Sequence, residues 1–258
     1  MSRIREFWQN VSRLQIVLSL ISAVCLILFV AVTLWMNGKI ENLPDQQAAA
    51  RWSGEGGTAQ VSSFFVREAQ VDDFQIRSFE KQLESALSEA AVVQENPLAR
   101  LFVDGYSAQG KITVVSEQST LEASAIGVGG DFFFFHPLKL VSGSYFSGND
   151  LMQDFVILDE EAAWQLFGSS DIQGMSVTIG GIPHYVAGVA EREKGRFAEG
   201  AGLKNTVVYV SYNTLSELGE SEGIGCYEVA APNPVKGFLY NTLKEKFGLK
   251  EDEMLVVE

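Results

Sequence analysis

The sequence predicts an α+β fold: one N-terminal transmembrane helix followed by a two-lobed extracytoplasmic domain, in which terminal βα units flank an inserted β-rich lobe. Three observations predict it. An uncharged stretch of 21 residues runs from Ile16 to Met36. Strand-patterned segments are coupled to helix-patterned ones near both ends of the remaining chain, and short β-patterned runs separated by Gly and polar residues fill its middle.

The apolar stretch, IVLSLISAVCLILFVAVTLWM, spans the roughly 30 Å hydrocarbon core at about 1.5 Å per helical residue. It exceeds the roughly 7–15 residues of a signal-peptide core and is not closed by a small-x-small cleavage pattern, so a retained anchor is expected. Arg3, Arg5 and Arg13 against Glu6 leave the preceding flank at +2, while the remainder carries 16 basic and 32 acidic side chains. Short basic flanks stay on the cytoplasmic side, which places residues 1–15 inside, 16–36 in the membrane and the bulk of the chain outside. Trp8 and Trp35 stand near the two ends, where amphipathic rings favour the headgroup layer.

Residues 37–53 (NGKIENLPDQQAAARWS) are polar and weakly patterned and are expected to be a linker after a short extension of the membrane helix, with the globular domain occupying 54–258 and its inserted lobe about 110–215. Thr58–Val66 reads as a strand after Gly56-Gly57. Asp72–Val93 reads as a helix in which Phe79, Leu83, Leu87 and Ala90 share a face, with Asp72 as N-cap and Gln75 in a capping-box position. Leu98–Tyr106, Lys111–Ser116 and Leu121–Val128 read as short strands, and the aromatic run Asp131–Phe135 as extended, sending alternate rings to opposite faces, with core packing on one face and lobe contact on the other as the first reading and a partner patch as the second. Phe155–Leu158 reads as a strand leading into a helix capped by Asp159, with Ala163, Leu166 and Phe167 as its buried stripe, Trp164 in the core, and Gly168 as its stop. Met175–Ile179 and His184–Ala190 flank Gly180-Gly181, which predicts a hairpin because both glycines accept positive φ. Thr206–Val210 and Cys226–Ala231 are further strands. Asn233-Pro234 is expected to open a last helix burying Val235, Phe238, Leu239, Leu243 and Phe247, before a terminal strand Met254–Val257.

Composition limits function. A chain that is 47% hydrophobic and 20% charged is neither disordered nor fibrous, and a net charge of −14 opposes nucleic acid as a partner. Cys25 and Cys226 are the two cysteines, the first inside the apolar stretch, so neither a disulfide framework nor a Cys-based zinc site is available. The two histidines, His136 and His184, lack metal-site or triad spacing and read as structural or exposed. Asp159-Glu160-Glu161 has a sufficient cause in a helix N-terminus, where negative charge is stabilised by roughly 0.3–1 kcal/mol per group. No catalytic, metal or cofactor residues are expected. The candidate partner contacts are Phe133 and Phe135 in the aromatic run, and Arg192, Lys194, Arg196 and Phe197 in a charged, Gly-containing loop after the second hairpin strand. A Gly-Lys-Ser/Thr phosphate loop does not occur in the sequence, so any ATP hydrolysis belongs to another chain.

The stretch from Gly130 to Val210 resembles the periplasmic core domain of MacB/FtsX/LolE-type ABC transporter permeases. The carrying residues are Gly130-Asp131-Phe132-Phe133, Leu140 through Phe146 with Asp150, Val156-Ile157-Leu158, Ala162-Ala163 through Leu166-Phe167-Gly168, Gly174 through Ile179, Val186-Ala187-Gly188-Val189 and Val207–Val210. The resemblance implies a permease that forms a homo- or heterodimer, pairs with a cytoplasmic ATP-binding subunit, and couples ATP to export or extraction. It brings no catalytic residue. Such permeases carry three more membrane helices after this domain, whereas the sequence stops at Glu258. That leaves a truncated or split permease, or a stand-alone single-pass extracytoplasmic binding or scaffold protein without ATP coupling, as the two expectations.

Overall fold

The computed structural model describes residues 13–40, 43–53, 57–92, 99–192 and 205–258. Arg3, Arg5 and Trp8 of the N-terminal flank, Gly56, and the expected ends of a helix at Val93 and a strand at Leu98 lie outside these residues. The chain divides into two compact units, the first ending at Gln46 and the second beginning at Gln47. The first is dominated by α1 (Arg13–Ile40), whose 28 residues extend about 42 Å at roughly 1.5 Å each, longer than the hydrocarbon thickness. Val17–Lys39 within it is long and apolar enough to cross a membrane, and its most apolar window is not buried by the chain itself.

Ala48–Ser53 is a helix, α2, where the polar pattern suggests linker: its alanines favour helix, and Ala48 is fully buried in a cluster with Val103, Phe135 and Ala230. The Ala48 N–H donates to Gln60 Oε1 at 2.9 Å, which ties α2 to β1 (Thr58–Phe65). Helix α3 (Asp73–Glu89) carries the predicted capping box: Asp72 Oδ1 accepts from the Gln75 N–H at 3.0 Å, and the Asp72 N–H donates to Gln75 Oε1 at 3.2 Å. Ile76, Phe79, Leu83, Ala86 and Leu87 are its buried face.

The first two of the three expected short strands are one. β2 runs unbroken from Val103 to Val115, and β3 (Thr120–Gly130) returns beside it. Gly110 does not interrupt β2 because it serves a close approach, facing the Glu220 carbonyl where the pairing with the later strand β9 (Glu220–Pro232) shifts register. After β3 come a single helical turn, α4 (Phe132–Phe135), then β4 (Leu140–Gly143), β5 (Phe155–Asp159) and α5 (Glu160–Phe167). Asp159 caps α5 by accepting from the Ala162 N–H at 2.7 Å, and Gly168 closes it at φ 68°. β6 (Ser176–Ile179) and β7 (Ile182–Ala190) form the predicted hairpin, with Gly180 and Gly181 at φ 56° and 84°. β8 (Val207–Ser211) leads into α6 (Tyr212–Leu218), a helix beyond those the sequence pattern predicts. After β9, α7 (Phe238–Lys246) and β10 (Met254–Val257) complete the chain. α7 begins later than predicted and Val235 is exposed, yet Asn233 still serves the helix, its Oδ1 accepting from the Leu239 N–H at 3.2 Å.

The sheet order is β10-β1-β9-β2-β3-β8-β5-β7-β4, with β6 pairing both β7 and the far end of β2. Hydrogen bonding therefore runs β2-β3-β8-β5-β7-β6 and back to β2, closing six strands of the middle segment into a ring. Val114, Ala125, Val156, Ile179, Val186 and Val208 from this ring belong to the same core as Val61, Phe79, Tyr227 and Leu243 of the terminal units. The long strand β9 makes that continuity, pairing with β1 on one side and β2 on the other.

Candidate functional site

The aromatic run is helical where its sequence suggests an extended strand. Gly130, at φ 61°, turns the chain, the Phe134 N–H donates to the Asp131 carbonyl at 2.8 Å, and the His136 N–H to the Phe132 carbonyl at 2.9 Å. A helical turn spreads four rings around an axis instead of alternating them, and three of the four are buried. Phe133 is stacked on Tyr145 at 4.8 Å and lies edge-on to Phe146 at 5.4 Å; Phe135 is fully buried beside Ala48, Val103 and Ala230. Both pack the interior of this chain, in line with the core reading of the run, and leave little ring surface for a partner. Phe134 is half-buried, edge-on to Trp52 at 6.3 Å with the Arg51 guanidinium 5.2 Å from its centre.

Arg192 is the described member of the charged loop; Lys194, Arg196 and Phe197 lie outside the described residues. Its backbone N–H donates to Glu160 Oε2 at 3.2 Å, and its guanidinium stands 3.9 Å from Glu161. It borders a cleft of about 560 Å³ with Leu138, Lys139, Asp159 and Tyr209. Burial pushes the Asp159 carboxyl up, against the pull of the Ala162 and Val207 N–H groups that donate to it at 2.7 and 3.0 Å. Those bonds make Asp159 a cap and a strand tether, in keeping with its reading as a helix-terminal acid.

The histidines occupy different settings. His184 is buried, its Nδ1 3.0 Å from the Ile182 carbonyl and its Nε2 3.3 Å from Thr214 Oγ1. His136 Nε2 pairs with Glu228 Oε2, and Glu228 Oε1 accepts from Ser62 Oγ at 2.9 Å. The carboxylate stands between serine and imidazole, the reverse of a hydrolytic triad, in which the imidazole must take the hydroxyl proton. Among the described residues, no group of three or more His, Cys, Asp and Glu is placed to hold a metal ion.

A buried polar cluster lies outside everything the sequence pattern singles out. Asp104 in β2 is nearly inaccessible and accepts from the Tyr227 hydroxyl of β9 at 3.1 Å, and Glu80 of α3 lines the same cavity. Burial first, then the negative charge of Glu80, holds its carboxyl proton, with the pKa pushed up to about 8. Burial likewise pushes the Tyr227 hydroxyl well up. A cavity of about 470 Å³ lined by Glu80, Glu84, Arg100, Asp104 and Asn149 opens beside the pair. An Asp amid small and aromatic residues in VDGY is the available signal, but its partner sits on a helix earlier in the chain and leaves no local pattern. On the surface, Trp164 is 58% exposed, against its expected place in the core, and Leu151 and Met152 are exposed in the β4–β5 connection.

The family model described as MacB-like periplasmic core domain matches residues 17–236. The macrolide export ATP-binding/permease protein MacB of Chromobacterium violaceum is 38% identical over 78 residues, 29% of this chain and 12% of that protein. The Escherichia coli K12 protein of the same name is 33% identical over 97 residues, 36% of this chain and 14% of its own length. The chain thus spans about an eighth of the length of these relatives. Among solved structures, the periplasmic region of MacB from Actinobacillus actinomycetemcomitans aligns with a TM-score of 0.48 at 19% identity, covering 78% of this chain and 89% of that one. The extracellular domain of the noncanonic ABC-type transporter YknZ from Gram-positive bacteria aligns at 0.45 and 18%, covering 78% and 100%. The matching family is a permease domain and not a known enzyme family. On the match across residues 17–236, which takes in both the apolar helix and most of the sheet domain, the chain belongs to the MacB-like periplasmic core domain family.

Proposed function

We propose that this chain is the membrane-anchored outer domain of an ABC transporter permease, a non-catalytic module that transmits movement and contacts cargo or partners during ATP-driven export or extraction. Residues 16–36 cross the membrane with the N-terminus in the cytoplasm, and the folded unit from Gln47 lies outside. An ATP-binding subunit supplies the nucleotide chemistry and further permease helices complete the membrane part, in a homo- or heterodimer. One observation carries this reading: the family match runs through an apolar helix without buried surface and into the sheet domain that comes after it. The continuous core from the ring of β2-β3-β8-β5-β7-β6 to the terminal units also supports a domain that moves as a body.

The test is co-purification. The tagged chain is solubilised from native membranes in mild detergent and its companions are identified by mass spectrometry. The reading expects an ATP-binding subunit together with a polypeptide carrying further permease helices. Recovery of neither, from membranes in which the chain is abundant, contradicts ATP coupling and leaves the stand-alone binding protein.

A further inference from the structure

We propose that β10 is a docking edge, to which an extended segment of another protein adds as one more strand when it carries alternating apolar residues and a Lys or Arg at each end. The sheet geometry carries this independently of the transporter reading, and the surface exists on whichever side of the membrane the domain lies.

β10 closes one end of the sheet order and is paired on one side, with β1. The register fixes which of its backbone groups that pairing uses. The Val66 N–H donates to the Glu253 carbonyl at 3.0 Å, so Val66 and Glu253 form a hydrogen-bonded pair at the head of this antiparallel ladder. Such pairs recur at every second residue. Phe64–Leu255 and Ser62–Val257 are therefore of the same kind, and the N–H and C=O groups of Met254 and Val256 turn away from β1. An edge of this sort is a template for strand addition, in which main-chain bonds supply affinity and alternate side chains supply selectivity.

The side chains beside the edge select an apolar strand. Leu255 is 63% exposed and lies across from Phe64, at 46%, while Val257, at 48%, lies across from Ser62. These residues stand on the face of the sheet opposite Val61, Phe65 and Met254, which are buried in one core with Phe79, Leu243 and Phe247. An added strand covers Leu255 and Val257 with the alternate side chains that it places on the same face.

Charge decides the occupant. Glu251, Asp252 and Glu253 precede the strand and Glu258 follows it. Lys244 engages Glu251 at 2.7 Å and Lys250 stands 3.7 Å from Glu253, which leaves Asp252 and Glu258 as exposed acids at the two ends. Glu258 accepts from the neutral Asn233 amide at 3.3 Å. At roughly 3.3 Å per residue the two ends are about 20 Å apart. A second copy fits poorly: since alternate residues face outward, the antiparallel registers that keep β10 against β10 set Glu258 opposite Asp252 or Met254 of the other chain, and like charges meet. The same acids oppose an anionic lipid surface. A segment with a cation at each end turns them into attraction.

Binding of peptides to the full chain in detergent micelles tests this, with the acetylated and amidated peptide KVTITVK, its counterpart EVTITVE, and hydrogen exchange to locate the site. At low salt KVTITVK is expected to bind at least about tenfold more tightly than EVTITVE, and to weaken as salt is added, because exposed charges are screened. The Met254 and Val256 amides should gain protection by on the order of tenfold, while those of Leu255 and Val257, already bonded to β1, change little. Val256→Pro removes an outward donor without touching the bonds to β1, so it should keep the thermal midpoint and abolish binding. Leu255→Ser, at an exposed position, is expected to weaken binding several-fold, and it decides the matter if Val256→Pro does not fold. Binding of KVTITVK no greater than to empty micelles, equal binding of the two peptides, or unchanged protection at Met254 and Val256 overturns the proposal. So does protection that arises without peptide, either as the chain is concentrated or as micelles are replaced by lipid nanodiscs, because it gives the edge to a second copy or to the bilayer.

Discussion

Phe135 and Trp164 are both large aromatic residues, and the structure puts one at zero exposure and the other at 58%. Phe135→Ala is expected to cost about 3–5 kcal/mol through lost burial and a cavity beside Ala48 and Val103, whereas Trp164→Ala should stay within about 0.5 kcal/mol. Urea unfolding of the two variants against wild type reads the difference directly. Glu228 gives a second prediction at this scale. It is buried between Ser62 and His136, so His136→Ala leaves a buried carboxylate with one fewer partner and should destabilise by roughly 1–3 kcal/mol. The same measurement applies, and a neutral outcome would show that Ser62 and water suffice.

Among the elements, those with local chemical causes are legible in the sequence. Asp72 and Gln75 announce the start of α3, Asp159 and Gly168 bracket α5, and Gly180-Gly181 forces the β6–β7 turn. Gly181→Val, forcing a β-branched residue to φ 84°, is expected to cost about 1–2 kcal/mol or more and to lower the thermal midpoint of the domain without disturbing α3. Elements that depend on contacts distant in sequence are not legible. Ala48–Ser53 looks like linker until Val103 and Ala230 are brought to it, and β2 looks like two strands until β9 is laid beside Gly110. The helical turn of Phe132–Phe135 hides for the same reason: four identical residues have no periodicity, and only the pockets on either side decide which rings go where. The Asp104 cluster joins three elements, and the acid in VDGY is its one local sign; Glu80 and Tyr227, the residues that complete it, lie elsewhere in the chain.

At the scale of the molecule, charge and anchor agree. The excess of acid over base lies beyond the apolar helix, and self-repulsion of that domain grows with pH in the same direction as the release of the Asp104 proton and of that on Asp159, whose carboxyl burial also pushes up. The thermal midpoint is therefore expected to be higher at pH 5.5 than at pH 8.5, with Asp104→Asn removing most of the difference; an equal difference in that variant would assign the effect to surface charge. An outer domain on a membrane anchor is tested most directly by topology. Glu117→Cys places a thiol on the exposed β2–β3 turn, while Cys226 contributes little background because burial pushes its thiol far up. Intact spheroplasts carrying this variant are treated with a membrane-impermeant maleimide. Labelling without permeabilisation is the expected result; labelling that appears only after the membrane is opened would place the domain in the cytoplasm and overturn the assignment.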